Sequence, residues 1–95
     1  MSDLSGEKIE ELLWAAGCEI EQHTYTPIPY FTTEVGDSII KVSDMWFDIE
    51  GDWYIDPDAV NIEKIHEGEK VDEDLTIPED EQDLVDIILR LGGEV

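Results

Sequence analysis

The residues best suited to chemistry in this chain are carboxylates that recur every two to four positions. They are Asp48, Glu50, Asp52, Asp56 and Asp58. Clustered oxygen ligands are what Ca²⁺ and other hard cations require. An EF-hand loop, however, needs the order Asp-x-Asp-x-Asp-Gly, whereas here Gly51 precedes Asp52 and the residues Trp-Tyr-Ile follow. The spacing therefore predicts no dedicated metal site.

Groups that could support catalysis are sparse. His23 and His66 are the only histidines, and neither has a neighbour at a spacing typical of metal ligands or acid–base pairs. No glycine-rich phosphate loop, nucleophile elbow or H-E-x-x-H motif occurs. These patterns predict that the protein is not an enzyme and binds no cofactor.

The cysteine count bears on the compartment. Cys18 is the only cysteine, so neither an internal disulfide nor a Cys-based zinc site can be assembled. The first residues lack a basic and an apolar signal region, and no apolar run approaches the roughly 18 residues of a membrane span. We therefore expect a cytoplasmic protein that does not enter a membrane.

Net charge is the most unusual property of the sequence. The chain has 26 Asp and Glu against five Lys and Arg, a formal net charge of -21. Its hydrophobic share of 41% is nevertheless too high for a disordered acidic tail, so we expect a packed core. A net charge of about 2 to 8 in magnitude is enough to keep a small domain soluble, so solubility alone does not explain the excess.

The charge density is similar to that of DNA. Duplex DNA carries one charge per about 1.7 Å of axis, so 21 charges occupy about 36 Å of duplex. A compact chain of 95 residues is roughly 30 Å across. Such a surface predicts a basic partner and repulsion from both nucleic acid and anionic membranes.

The acidity is concentrated in one segment. Between Asp44 and Asp86 lie 17 of the 26 acidic residues, with Lys64 and Lys70 as the only basic ones, so the segment carries a formal charge of -15. We expect its carboxylates, with Trp46 as an aromatic anchor, to form a phosphate-like surface that binds a partner. The candidate residues are Asp44, Trp46, Asp48, Glu50, Asp52, Asp56, Asp58, Glu67, Glu69, Asp72, Glu73 and Asp74. The alternatives are a solvated charged face and a Trp46 that packs in the core or at a sheet edge.

Short strands are expected through the middle of the chain, where β-branched and aromatic residues alternate with turn residues. The predicted strands are residues 19–26, 38–43, 45–50, 53–56 and 59–65. Gly51 marks a hairpin turn between the third and the fourth of them. Residues 57–65 could also begin a short helix at Pro57, but we favour a strand.

The strand 45–50 should present two different faces. Alternation directs Met45, Phe47 and Ile49 to the core. It directs Trp46, Asp48 and Glu50 to solvent, with same-face neighbours roughly 6 to 7 Å apart.

A helix is predicted at each end of the chain. Residues 5–16 have Ser5 as a candidate N-cap, a hydrophobic staple of Leu4 and Ile9, and Gly17 at the end. The expected buried stripe is Ile9, Leu12, Leu13 and Ala16.

The second helix should run from a capping box of the form T-x-x-E at residues 76–79 to Leu91, ended by two glycines. Its apolar stripe is Leu84, Ile87, Ile88 and Leu91. The fold class that these elements predict is α+β. It is a small antiparallel β-sheet flanked by an N-terminal and a C-terminal α-helix, within one acidic domain over residues 1–95.

In charge and length the chain resembles the acidic DNA-mimic inhibitors that phages and mobile elements use against host restriction, CRISPR or repair enzymes. The resemblance rests on charge and size and on no motif, so it assigns no residue roles. It implies an inhibitor in the host cytoplasm that binds a basic nucleic-acid-binding protein, such as a nuclease, a restriction enzyme or a CRISPR effector. The resemblance leaves open whether the protein forms a homodimer.

Two further interpretations use the same electrostatics differently. One is an immunity protein, or another acidic binding module, that neutralises a basic nuclease toxin through a more specific hot-spot patch. The other is halophilic adaptation, in which excess acid keeps the surface hydrated, although Lys outnumbers Arg four to one here, unlike the halophile bias.

Overall fold

A short strand leads directly into the first helix. In the computed structural model, which describes residues 3–93, β1 (Leu4–Ser5) precedes α1 (Gly6–Ala15). The hydroxyl oxygen of Ser5 accepts a hydrogen bond from the backbone N–H of Lys8 at 3.4 Å, so the predicted N-cap is confirmed. Gly17 follows the helix with φ +83°, the left-handed conformation that commonly ends a helix.

The buried stripe of α1 is narrower than predicted. Ile9 and Leu13 are fully buried, Leu12 is half-buried, and Ala16 is exposed. Ala16 already lies beyond the last helical residue, so it no longer follows the helical face.

The remaining strands form two antiparallel sheets. They are β2 (Ile20–His23), β3 (Tyr30–Val35), β4 (Ser38–Ser43), β5 (Met45–Phe47), β6 (Trp53–Ile55), β7 (Asn61–His66) and β8 (Glu69–Asp74). The smaller sheet has the order β1-β6-β5 and the larger the order β2-β3-β4-β7-β8. All neighbouring strands are antiparallel. The α+β class and the two terminal helices are thus confirmed, with the strands divided between two sheets instead of one.

The strand predicted over residues 45–50 is wrong in its second half. β5 ends at Phe47, because the next residue, Asp48, turns the chain by accepting hydrogen bonds from the backbone N–H groups of Glu50 and Asp52. Ile49, predicted to face the core, is fully exposed in this turn, and Phe47 is exposed at the rim. Only Met45 of the three predicted core residues is buried.

Residues 57–65 divide between a turn and a strand. The carbonyl of Asp56 accepts the N–H of Ala59, which closes a turn around the buried Pro57. The strand then begins at Asn61, so the preference for a strand is confirmed from that residue onward.

The second helix, α2 (Glu81–Leu91), starts later than the predicted capping box. Its N-cap is Asp80, whose carboxylate accepts the N–H of Asp83 at 2.8 Å. Thr76 lies outside the helix and its N–H donates to Asp74, so the T-x-x-E box is not formed. The apolar stripe is confirmed: Leu84, Ile87 and Ile88 are fully buried and Leu91 is half-buried.

One face of each sheet and both helices enclose the core. The rings of Phe31 in β3 and Trp53 in β6 lie 5.3 Å apart and join the two sheets. The start of α1 packs directly on β6, where a Cβ at Gly6 would overlap the indole of Trp53. The backbone N–H of Ser5 donates to the carboxylate of Glu81 at 2.8 Å, which fastens the start of α1 to the first turn of α2.

Candidate protein-binding surface

The turn between β5 and β6 is built around one carboxylate. Oδ1 of Asp48 accepts the N–H of Glu50 at 2.9 Å and that of Asp52 at 3.0 Å. Oδ2 accepts the hydroxyl of Tyr54 at 3.2 Å. The hydrogen bond and charge of Asp48, followed by partial desolvation and the charges of Asp52 and Glu50, raise the pKa of Tyr54. Asp48 is therefore a structural carboxylate, whereas Glu50 and Asp52 are exposed and their carboxylates have no side-chain partner among residues 3–93.

An aromatic pair lies beside this turn on the outer face of the smaller sheet. Trp46 is directly opposite Tyr54, and the two rings stack with centroids 4.7 Å apart and planes 28° from parallel. Trp46 is 43% exposed, whereas Met45, Trp53 and Ile55 on the inner face are buried. The predicted solvent-facing position of Trp46 is confirmed. We call Trp46, Asp48, Glu50, Asp52 and Tyr54 the hairpin surface.

Two acidic residues of α1 lie next to the hairpin surface. Glu7 and Glu10 line one shallow depression together with Gly51, Asp52 and Tyr54. No local sequence pattern predicts this juxtaposition, because it depends on the close packing of α1 on β6. The negative surface thus extends from the hairpin onto the first helix.

A second acidic group occupies the β7–β8 hairpin in the larger sheet. Glu67 and Gly68 form its turn with φ of +53° and +82°, and Glu69 begins β8. These carboxylates, with Asp72, are exposed. Most of the predicted residues therefore fall into two groups on different sheets.

Several other predicted residues have structural roles. Glu73 and Glu63 face each other across β7 and β8, and the ammonium of Lys70 bridges their carboxylates at 3.2 and 3.3 Å. Asp74 accepts a hydrogen bond from the N–H of Thr76 at 2.8 Å, and hydrogen bonding from Thr76 lowers the pKa of Asp74. These carboxylates are less available to a partner than the sequence suggested.

The last three candidates lie in turns. Asp44 has φ +71° where the chain passes from β4 to β5, and its carboxylate lies 3.4 Å from the amide of Asn61. Asp56 accepts the N–H of Asp58 at 2.9 Å, which leaves Asp58 as the exposed carboxylate of that turn.

Few of the carboxylates are neutralised. Among residues 3–93, the only ion pairs of Lys or Arg are those of Lys70 with Glu63 and Glu73. The ammonium of Lys41 instead lies over the ring of Tyr30, 4.4 Å from its centroid. This charge is spread over a body whose Cα atoms span 35 × 26 × 23 Å.

The two histidines take part in local packing. The ring of His23 stacks on that of Tyr30 at 4.6 Å, and its Nε2 lies 3.2 Å from the hydroxyl of Thr32. His66 lies at the end of β7, 4.0 Å from the carboxylate of Glu67. Within the part of the chain that the structure describes, no group of three His, Cys, Asp or Glu residues is arranged to hold a metal ion.

Comparisons of the chain with family models, curated proteins and solved structures find no match. No helix within residues 3–93 is long and apolar enough to cross a membrane.

Proposed function

We propose that the protein is a DNA-mimicking inhibitor that occupies the nucleic-acid-binding surface of a basic DNA-processing or host-defence protein. The observation that carries the proposal is the un-neutralised charge. All but two carboxylates of residues 3–93 lack a Lys or Arg partner within 4 Å. The long dimension of the body, 35 Å, matches the roughly 36 Å of duplex that holds 21 charges.

The physical reason is that self-repulsion at this charge destabilises the compact chain and has to be offset elsewhere. A basic partner removes the repulsion on binding and is drawn in by long-range attraction. A protein surface adapted to hold phosphates offers the matching positive field. The hairpin surface continues onto the adjacent Glu7 and Glu10, which line the same depression as Asp52 and Tyr54.

A specific feature favours a second candidate, an immunity-type protein that neutralises a basic nuclease toxin. The stacked Trp46 and Tyr54 form an exposed aromatic patch, and aromatic anchors are typical of interfaces with a dedicated protein partner. The two candidates differ in whether the partner's DNA-binding surface is the surface that is covered.

The test begins with a basic partner isolated by affinity capture on the purified protein. Association rates are then measured for the variant Glu50→Gln/Asp52→Asn and for the control Glu34→Gln/Asp37→Asn, which removes the same charge. Glu34 and Asp37 lie at the far end of β3 and β4, about 17 Å of strand away from the start of β5. The control therefore removes charge beside the larger sheet and leaves the β5–β6 turn of the smaller sheet unchanged.

Removal of the hairpin charges should slow association by about 3- to 10-fold and weaken its salt dependence, whereas the control should associate at nearly the original rate. Asp48 is left intact because it holds the turn. If both variants slow equally, the negative hairpin is not the surface that meets the partner.

A further inference from the structure

The outer face of the smaller sheet exposes Trp46 to water beside the half-buried Tyr54. Trp46 is 43% exposed although it lies on a strand, and it is held against Tyr54 by stacking at 4.7 Å. The hydroxyl of Tyr54 is in turn fixed by Asp48. The ring of Tyr54 thus holds the indole of Trp46 in place, and the indole stays accessible to a partner.

Carboxylates surround this aromatic pair on the same face. Asp48 accepts the hydroxyl of Tyr54 at 3.2 Å, and Asp52 lines one depression together with Tyr54. Glu50 lies in the turn between them. Both oxygens of Asp48 are already occupied by hydrogen bonds, which leaves Glu50 and Asp52 to accept from a partner.

We infer that the Trp46–Tyr54 pair is a recognition site for an arginine side chain of a basic partner, with the guanidinium stacked on the indole and its N–H groups directed at Glu50 or Asp52. The inference rests on the proposed function for the partner's basic character, and it adds the chemical group that the site selects. A planar guanidinium suits both an aromatic face and carboxylate acceptors, whereas the ammonium of lysine is a compact point charge that stays more strongly hydrated.

The chain contains a natural control for this site. Trp14 on α1 is 66% exposed and lines a shallow surface with Glu7, Glu10 and Glu11, so it also combines an indole with carboxylates. Trp14 has no ring partner within residues 3–93, and it must lose rotamer freedom when a ligand stacks on it. The side chain of Trp46 is already held by stacking on Tyr54, so it should bind a guanidinium more tightly than Trp14 does.

The experiment titrates the protein with hexa-arginine and with hexa-lysine, two probes of equal charge, at moderate salt. Wild-type protein should bind hexa-arginine more tightly than hexa-lysine. Trp46→Ala should weaken hexa-arginine binding by about 3- to 30-fold, as expected for loss of a cation–π contact, and should abolish the preference over hexa-lysine. Trp14→Ala should change the affinity by less than about twofold on the same scale.

A second variant distinguishes loss of the indole contact from a folding defect. Trp46→Phe keeps a smaller ring opposite Tyr54 and should retain part of the preference for hexa-arginine, with an unchanged circular dichroism spectrum. Equal losses for Trp46→Ala and Trp14→Ala, or equal affinities of the wild type for the two peptides, would overturn the inference. Neither result would contradict the proposed function, because the proposed function is tested separately on the captured partner. The charge variants used in that test retain Trp14 and Trp46.

Discussion

The hydroxyl of Tyr54 lies 3.2 Å from Oδ2 of Asp48, while Oδ1 of the same carboxylate holds two backbone N–H groups of the turn. Of the three acidic residues in this turn, Asp48 therefore maintains the shape of the turn, whereas Glu50 and Asp52 present their charges to solvent. Variants of this hairpin can therefore be designed to alter its stability or its charge separately.

Asp48→Ala should lower the free energy of unfolding by about 1 to 2 kcal/mol, because the variant leaves two turn N–H groups and the Tyr54 hydroxyl without their acceptor. Glu50→Ala removes the same charge from the same turn and should be neutral or slightly stabilising. Urea denaturation of the two variants beside the wild type provides the measurement. Equal stability of the two variants would show that the Asp48 hydrogen bonds do not hold the turn.

The Tyr54–Asp48 contact should also have a signature at alkaline pH. Asp48 raises the pKa of Tyr54 in the folded protein, so the stability that this contact contributes is complete below the unfolded pKa, about 10, and is lost as pH rises through the higher folded pKa. The difference in unfolding free energy between wild type and Tyr54→Phe should therefore be constant from about pH 6 to 9 and shrink above about pH 10. Lys70 titrates in the same range, but it is present in both proteins and cancels in the difference. A difference that stays constant to about pH 12 contradicts the assignment.

Gly6→Ala should destabilise the protein by about 1 to 3 kcal/mol, since the added methyl group overlaps the indole and carbonyl of Trp53 and forces α1 away from β6. Glu7→Ala is the matched control, because Glu7 is the next residue of the helix and is exposed. Thermal unfolding of both variants tests the prediction. A Gly6→Ala variant as stable as the control would mean that α1 does not pack this closely on β6.

Added monovalent salt should raise the melting temperature between about 10 and 300 mM, because screening weakens repulsion among carboxylates that have no cationic partners. Lowering the pH toward about 5 should stabilise the protein for the same reason. A flat melting temperature over this range would show that the surface is less strained than the charge suggests. Stability that instead requires molar salt would favour halophilic adaptation.

Local patterns predicted the elements whose apolar residues recur with a clear period. Residues 38–43 form β4 with the predicted boundaries, the stripe of α2 faces the core, and so do Ile9 and Leu13 of α1. β3 was not predicted, although Phe31, Thr33 and Val35 alternate and are buried. The alternation of these three residues, with a period of two, was the sequence signal that could have predicted this strand.

β8 could not be found in the same way. Its sequence from Glu69 to Asp74 is almost entirely charged and has low strand propensity. It is held by pairing with β7 across a tight hairpin and by the bridge from Lys70 to Glu63, neither of which strand propensity reports. The candidate site was predictable only in part. The exposed position of Trp46 followed from alternation, whereas the structural role of Asp48 and the position of Glu7 beside the hairpin surface depend on how the chain folds back.

Bare nucleic acid should not bind. The protein and a duplex carry charge of the same sign, and the hairpin surface contains no basic residue. A gel shift with duplex DNA at low salt should show no complex. Saturable binding to the duplex would contradict the proposed function directly.

The most direct test of the central claim is competition for the captured partner. With the partner immobilised and saturated with the protein, duplex DNA is added at increasing concentration and the protein that remains bound is measured. If the protein substitutes for DNA, the duplex should displace it completely, and the apparent affinity for DNA should fall in proportion to the protein added. A stable ternary complex of partner, protein and DNA would contradict the account and would favour an immunity-type interface outside the DNA-binding surface.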